Sequence, residues 1–440
     1  MARYLLAATP VPGHVTPMLA VAAGLRRRGH EVALLTGAAF HRAATRVGVT
    51  PLPLPSAAQP APMSSRRGAL PGMVRRWLIG RSELRAAFLA PLASQYRALS
   101  AAIDHDRYDA VLVDVMFTGA IPLLLSARTR PPLLACGVVP LMLSSVDTMP
   151  FGVGWPPRRG RDHTRMNRFV HEVLFGAEQA RLDTILGELG VRRAPVFFLD
   201  WPVLADRLLQ FGSPAFEYPR RDLPPSVVFT GPLPPPDTGM TLPEGWEVFA
   251  SGRTVVHVTQ GTWDNEDFGR LIRPTLSALG GRDDLVVVAT TGGSSAPLGP
   301  VPSNTLVLDY VSYARLLPHV DVMITNGGYG GVQQALGHGI PVIIAGDTAD
   351  KPETAARTAY FGVGIDLGTA LPSAARIAAA LDRVLETDDF RAPARRMADE
   401  MADEMAEHTP FRTISDVLAS LTRPTRPRTS ERTTRKERLR

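Results

Sequence analysis

The stretch Val320-Asp321-Val322-Met323-Ile324-Thr325-Asn326-Gly327-Gly328-Tyr329-Gly330-Gly331-Val332-Gln333-Gln334-Ala335-Leu336 runs from a short apolar segment through a glycine-rich turn into a helical pattern. A brief apolar run closed by glycine reads as a buried parallel strand, and glycines just before a helix let the backbone approach a ligand closely. The free N–H groups and positive dipole end at such a turn can hold an anion without a metal. The same order recurs upstream, with an apolar run at Thr254–Thr259, a turn at Gly261 and a helical pattern over Phe268–Leu279. Leu285–Ala289, Thr305–Leu308 and Pro341–Ala345 are further short strands. The first half opens alike: Tyr4–Thr9 is a strand, Pro10, Pro12 and Gly13 make a turn, and a helix opened by Pro17 carries Met18, Leu19, Val21, Ala22 and Leu25 to Gly29. Val32–Thr36 and Val111–Val113 continue that half. Strands alternating with helices predict an α/β protein of two doubly wound parallel sheets, with ligands beyond the carboxyl ends of the strands and in the cleft between domains.

The chain is long enough for this at 440 residues, and its 45% hydrophobic and 20% charged content is that of a globular protein. One cysteine, Cys136, excludes an intrachain disulfide and a zinc–thiolate cluster and suits the cytoplasm. Residues 423–440 carry eight basic side chains against Glu431 and Glu437, which accounts for the whole formal net charge of +6. The body is therefore neutral, no nucleic-acid partner is implied, and 423–440 reads as a basic disordered tail. No apolar run reaches membrane-spanning length, and Met1 to Pro10 does not resemble a leader. A soluble cytoplasmic protein, monomeric or homodimeric, is expected.

The expected divisions are an N-terminal domain over 1–213, a linker over 214–253 centred on Pro232, Pro234, Pro235 and Pro236, a C-terminal domain over 254–405, a helix over 406–422, and the tail. Met397–His408 repeats every four residues and reads as a helix with one half-buried face. Leu52–Gly80 and Val146–His163 read as loops.

Gly13-His14-Val15-Thr16-Pro17 places a histidine after the first strand, where it could take a proton at neutral pH. Asp114 ends another strand of the same half and could orient that imidazole. Taken singly, His14 reads better as a hydrogen-bonded loop residue and Asp114 as a cap or ion-pair partner. Thr9–His14 has one glycine where the dinucleotide fingerprint needs three, which disfavours a nicotinamide dehydrogenase, and no P-loop, nucleophile elbow or H-E-x-x-H occurs. Asp104-His105-Asp106 precedes a strand and is poorly placed for a metal.

The segment Tyr310–Lys351 resembles the donor-binding signature of family 1 nucleotide-sugar-dependent glycosyltransferases, which have the two-domain GT-B fold. It carries Tyr310-Val311-Ser312-Tyr313, Leu316-Leu317-Pro318-His319, Asn326-Gly327-Gly328, Gly339-Ile340-Pro341 and Asp350-Lys351. Gly13-His14 with Pro17 resembles the family's catalytic histidine motif, and Asp114 matches the placement of its partner aspartate. The resemblance reaches to about residue 421 and is similar to bacterial enzymes that decorate macrolides and polyketides.

It implies an inverting transfer of a sugar to a hydroxyl of a hydrophobic small molecule, with His14 as base and Asp114 steadying it. Tyr310 would stack on the nucleobase and the Val311 backbone would pair with its edge. Thr262 and the Asn326, Gly327, Gly328, Tyr329, Gly330 and Gly331 turn would hold the diphosphate, and Asp350 would accept from sugar hydroxyls. The acceptor would lie among Leu52–Gly80, Met116–Phe117 and Val138–Pro150. No cofactor or metal is implied, the donor being a substrate.

Departures from the pattern carry information. Asn326 replaces histidine and keeps a donor for phosphate without its charge. Gln334 stands where many members have a ribose-gripping glutamate, which points to a thymidine diphosphate (TDP) deoxysugar rather than a uridine diphosphate (UDP) sugar. Lys351, the one lysine before the tail, replaces glutamine and belongs in the donor site, while Ser312 and Tyr313 replace proline and glutamine. The alternatives are a UDP-sugar transferase acting on a lipid or cell-envelope acceptor, a nucleotide-sugar epimerase of the same fold, and a non-catalytic auxiliary partner.

Overall fold

The computed structural model describes residues 1–60, 78, 80–234, 244–261 and 265–422. Its first sheet is built from β1 (Arg3–Ala7), β2 (Glu31–Thr36), β3 (Thr50–Pro53), β4 (Ala110–Asp114), β5 (Leu133–Gly137), β6 (Arg207–Gln210) and β7 (Val227–Phe229), in the spatial order 3-2-1-4-5-6-7. The second contains β8 (Thr254–Thr259), β9 (Leu285–Thr290), β10 (Thr305–Leu308), β11 (Val322–Thr325), β12 (Val342–Ile344) and β13 (Gly364–Asp366), in the order 10-9-8-11-12-13. Every pairing is parallel. Central strands such as β4 and β9 are buried throughout, as their unbroken apolar runs require when helices cover both faces.

In both sheets the strand order reverses once, at β1/β4 and at β8/β11, and a crevice opens beyond the carboxyl ends there. The register aligns Ala7 with Val113 and Thr259 with Thr325. His14 and Asp114 therefore flank one crevice, and Gly261 and Asn326 the other.

Several expectations need correction. The first helix, α1 (Pro12–Arg27), is opened by Pro12, not Pro17, so His14 lies in its first turn. Proline fits the first helical position because its missing N–H has no partner to lose there. The helix expected over Phe268–Leu279 begins regularly only at Ile272, where the Gln260 side-chain oxygen accepts from the N–H groups of Leu271 and Ile272. The stretch read as a linker is not wholly one, because its β7 forms the outer edge of the first sheet. Pro235 and Pro236 lie outside the described residues, as does the tail. The loop reading of Leu52–Gly80 overlooked the end of β3, whose Pro51 and Pro53 are tolerated because β3 is an edge strand.

Met397 and Met401 are buried on helix α2 (Asp388–Glu407), as a half-buried face predicts. Helix α3 (Pro410–Thr422) then returns to the first domain, where Ile414 and Leu418 join its core. The Phe411 ring covers Gly24 of α1, and Arg27 and Arg28 lie over that ring at 5.6 and 5.5 Å. Among the described residues no helix is long and apolar enough to cross a membrane.

Candidate active site

His14 is 9% exposed and Asp114 is fully buried. Their contact is direct, with His14 Nδ1 2.8 Å from Asp114 Oδ1. The carboxylate also accepts from two backbone N–H groups, Thr9 at Oδ2 and Met116 at Oδ1, the latter at 2.7 Å. An ionised carboxylate is acceptor-only, so Nδ1 carries the imidazole proton and Nε2 keeps its lone pair. Asp114 thus ties the ends of β1 and β4 together and sets the tautomer of His14 at their crevice.

Across the cleft, Asn326 follows β11 with its side chain turned inward. Its amide nitrogen donates to the Gln260 carbonyl at the end of β8. The expected phosphate donor therefore already spans the switch point of the second sheet and fixes the Gly261 turn beside it. Gly327 has φ +92°, and a Cβ there would come within 2.7 Å of the Ile344 side chain, so this position demands glycine. Gly328 precedes helix α4 (Tyr329–Gly337), whose first turn holds Gly330 and Gly331.

Tyr329 is 3% exposed and its hydroxyl donates to Glu217 at 3.0 Å, so its side chain faces the interior and only its main chain belongs to the glycine-rich turn. Burial, with Glu217 alongside, pushes that hydroxyl well above the usual tyrosine range. Tyr310 is 53% exposed, with its ring against Gly293, at φ +76°, where a Cβ would collide with it. Val311 is partly buried beside it, and Gln334 is partly buried on α4 with a buried side-chain oxygen that no described group satisfies. Thr262 lies outside the described residues.

Asp350 precedes helix α5 (Lys351–Phe361). Burial raises its carboxyl above the ordinary range, while Lys351 and His14 pull the other way. Lys351 Nζ lies 3.4 Å from the Thr348 hydroxyl, and its stem packs beside Gly346 and Gly327. Between them, Ala349 is the only non-glycine residue at positive φ among the described residues, at +53°. Glu83 of the first domain accepts from its N–H; burial raises the Glu83 carboxyl, and this bond and Lys351 oppose the rise.

Phe117, expected near an acceptor, is fully buried in the core. The acids of Asp104-His105-Asp106 are used by arginines, Asp104 by Arg128 and Asp106 by Arg3. Sequence reasoning missed the buried cluster that joins the domains behind the site. There Arg357, 1% exposed, donates to Glu217 through Nε and Nη2 and to Glu353 through Nη1. Among 46 arginines in the sequence, nothing local marks Arg357.

Two doubly wound sheets opposed across a cleft, with a histidine–aspartate pair on one lip and a glycine-rich turn on the other, define a two-domain protein of the GT-B class. A family profile described as the C-terminal domain of erythromycin biosynthesis protein CIII-like proteins matches residues 273–418. The chain is 37% identical to 4'-demethylrebeccamycin synthase of Lentzea aerocolonigenes, over 90% of this chain and 95% of that one. It is 33% identical to UDP-glucosyltransferase A1 of Starmerella bombicola, over 88% and 86%. The solved structure of the spinosyn rhamnosyltransferase complexed with thymidine diphosphate superposes with a TM-score of 0.65 at 18% identity, covering 95% of this chain and all of the other. The chain belongs to the family 1 nucleotide-sugar-dependent glycosyltransferases.

Proposed function

We propose that this glycosyltransferase acts with inversion, moving a deoxysugar from a TDP donor to a hydroxyl of a hydrophobic small molecule such as a polyketide or macrolide aglycone, in the cytoplasm. The observation that carries the reading is the His14–Asp114 contact at 2.8 Å, opposite Asp350. His14 Nε2 takes the acceptor proton as the acceptor oxygen attacks the anomeric carbon from the face opposite the leaving diphosphate. The bond to that phosphate breaks, and Asp114 balances the imidazolium charge. The N–H groups at the start of α4 receive the charge that develops on the diphosphate, so the step needs no metal. Asp350 accepts from sugar hydroxyls.

The thymidine preference rests on Gln334. A carboxylate can accept from both ribose hydroxyls, whereas an amide offers one carbonyl, so loss of the 2′-hydroxyl leaves less unpaired. The competing reading, a UDP-sugar donor, is favoured by the name of the Starmerella relative. A panel of TDP and UDP sugars, with and without mixed aglycones, tests both by nucleoside diphosphate release. A tenfold or greater kcat/KM preference for the uridine form of the same sugar, about 1.4 kcal/mol at the transition state, overturns the thymidine assignment. Absence of acceptor-dependent release with every pair overturns the transfer reading.

A further inference from the structure

The loop after β5 belongs to the first domain, yet the second domain holds it. Glu353, in the first turn of α5, accepts at Oε1 from the N–H of Gly152 at 2.8 Å and of Gly154 at 2.9 Å. Both glycines are left-handed, at φ +95° and +66°, which turns the two N–H groups toward one oxygen. A Cβ on Gly154 would come within 2.6 Å of Pro352, two residues beyond Asp350. The other Glu353 oxygen accepts from Arg357 Nη1 at 3.2 Å. Arg357 in turn grips Glu217, whose Oε1 accepts from the N–H of Leu141, at the base of the same loop, and from the hydroxyl of Tyr329 on α4. Arg220 adds bonds to the carbonyls of Leu141 and Leu143. Base and tip of one loop are thus tied to a single buried charge cluster, which also touches the first residue of the anion-binding helix and the helix that follows Asp350.

We propose that Glu353 is a positioning residue of the transfer reaction: it clamps the 150–154 loop onto the start of α5 and so fixes where an acceptor hydroxyl meets the donor sugar. The proposal rests on the transfer reading for its substrates, but the clamp itself is a property of this chain. A carboxylate is suited to the task because one oxygen can take two N–H donors while the other is held by a guanidinium. The loop is joined to the second domain here through one oxygen and a glycine–proline contact, so it can be released without disturbing either core.

The test compares Glu353→Gln, which keeps volume and an acceptor but loses the charge paired with Arg357, with Gly154→Ala, which pushes the loop off Pro352 without altering a buried charge. Both should lower acceptor kcat/KM by about tenfold, leave donor KM within twofold, leave acceptor-independent donor hydrolysis intact, and speed amide exchange across residues 150–155. In the double variant the losses should be less than additive, because both changes release one contact. Acceptor kcat/KM within twofold of the parent in both single variants overturns the proposal, as does a donor KM that rises in step with the acceptor effect. Should Glu353→Gln fail to fold, Gly154→Ala decides by the same criteria. If the parent enzyme transfers to no acceptor, the transfer reading fails by itself. The exchange experiment then decides the clamp: unchanged protection over 150–155 in the variants refutes it.

Discussion

Replacing Asp114 by asparagine probes the dyad with almost no change of shape. The carboxylate has three donors around it, the N–H groups of Thr9 and Met116 and His14 Nδ1, and none of its oxygens reaches solvent. An amide supplies one oxygen and one NH2. With the NH2 toward Thr9, two N–H groups face each other and a buried backbone donor is left unpaired. With the NH2 toward His14, the Met116 N–H is orphaned and the imidazole must accept at Nδ1, which places its proton on Nε2 and removes the base. Either arrangement costs about 1–3 kcal/mol for the unsatisfied donor, which corresponds to a melting temperature lower by roughly 2–12 °C for a protein built of domains this size. Loss of a correctly oriented base costs at least about a hundredfold in turnover. The assay pairs calorimetry with steady-state nucleoside diphosphate release, and donor affinity is measured separately so that loss of the base is distinguished from loss of donor binding. His14→Ala should show a similar loss of kcat with donor affinity preserved. Turnover within tenfold of the parent in a folded Asp114→Asn protein would refute the reasoning, because then neither the tautomer nor the carboxylate charge that balances the imidazolium would matter.

The remaining expectations concern stability and the donor turn. His257 is fully buried, and burial depresses its pKa from 6.5 to about 4, while its bond to the Val288 carbonyl opposes the shift. Between those values the unfolded chain binds more protons than the folded one, so stability falls as the pH falls, by about 2 kcal/mol from pH 7 to pH 5; denaturant titrations of the parent and His257→Gln at both pH values should differ by that amount, and parallel curves would exclude it. Gly327→Ala must place a side chain at φ +92° against Ile344, costing about 2–4 kcal/mol and weakening nucleoside diphosphate binding in calorimetric titration; unaltered binding would remove the turn from the donor site. Deleting residues 423–440 should change neither activity nor melting temperature, because the segment is rich in charge and has few apolar groups to bury; a selective loss on a polyanionic or membrane-bound acceptor would make it a docking element.

Local chemistry made much of this protein legible in its sequence. Buried parallel strands need continuous apolar runs, so β1, β8, β9 and β11 stand out, and a backbone that must turn sharply before a helix needs the glycine at 327. The alternation of strands and helices fixed the class of fold, and the crevice rule placed His14, Asp114 and Asn326 at its carboxyl ends before any coordinates. Edge strands were harder to see. β3 and β7 carry weak patterns because one side of each is unpaired, and proline, which would break a central strand, is harmless there.

Partnership was decided by tertiary structure alone. Whether His14 meets Asp114 depends on the register of β1 with β4, a contact spanning 100 residues. The same holds for the inward turn of Asn326 and of the Tyr329 side chain, which the sequence assigned to the donor. The Arg357–Glu217–Glu353 cluster has no sequence signature, since Glu353 and Arg357 look like an ordinary surface pair one turn apart on α5 and Glu217 lies 140 residues from Arg357, until folding removes all three from water. A sequence records which groups are available and which backbone shapes are allowed; packing two domains across a cleft determines which of those groups must neutralise one another.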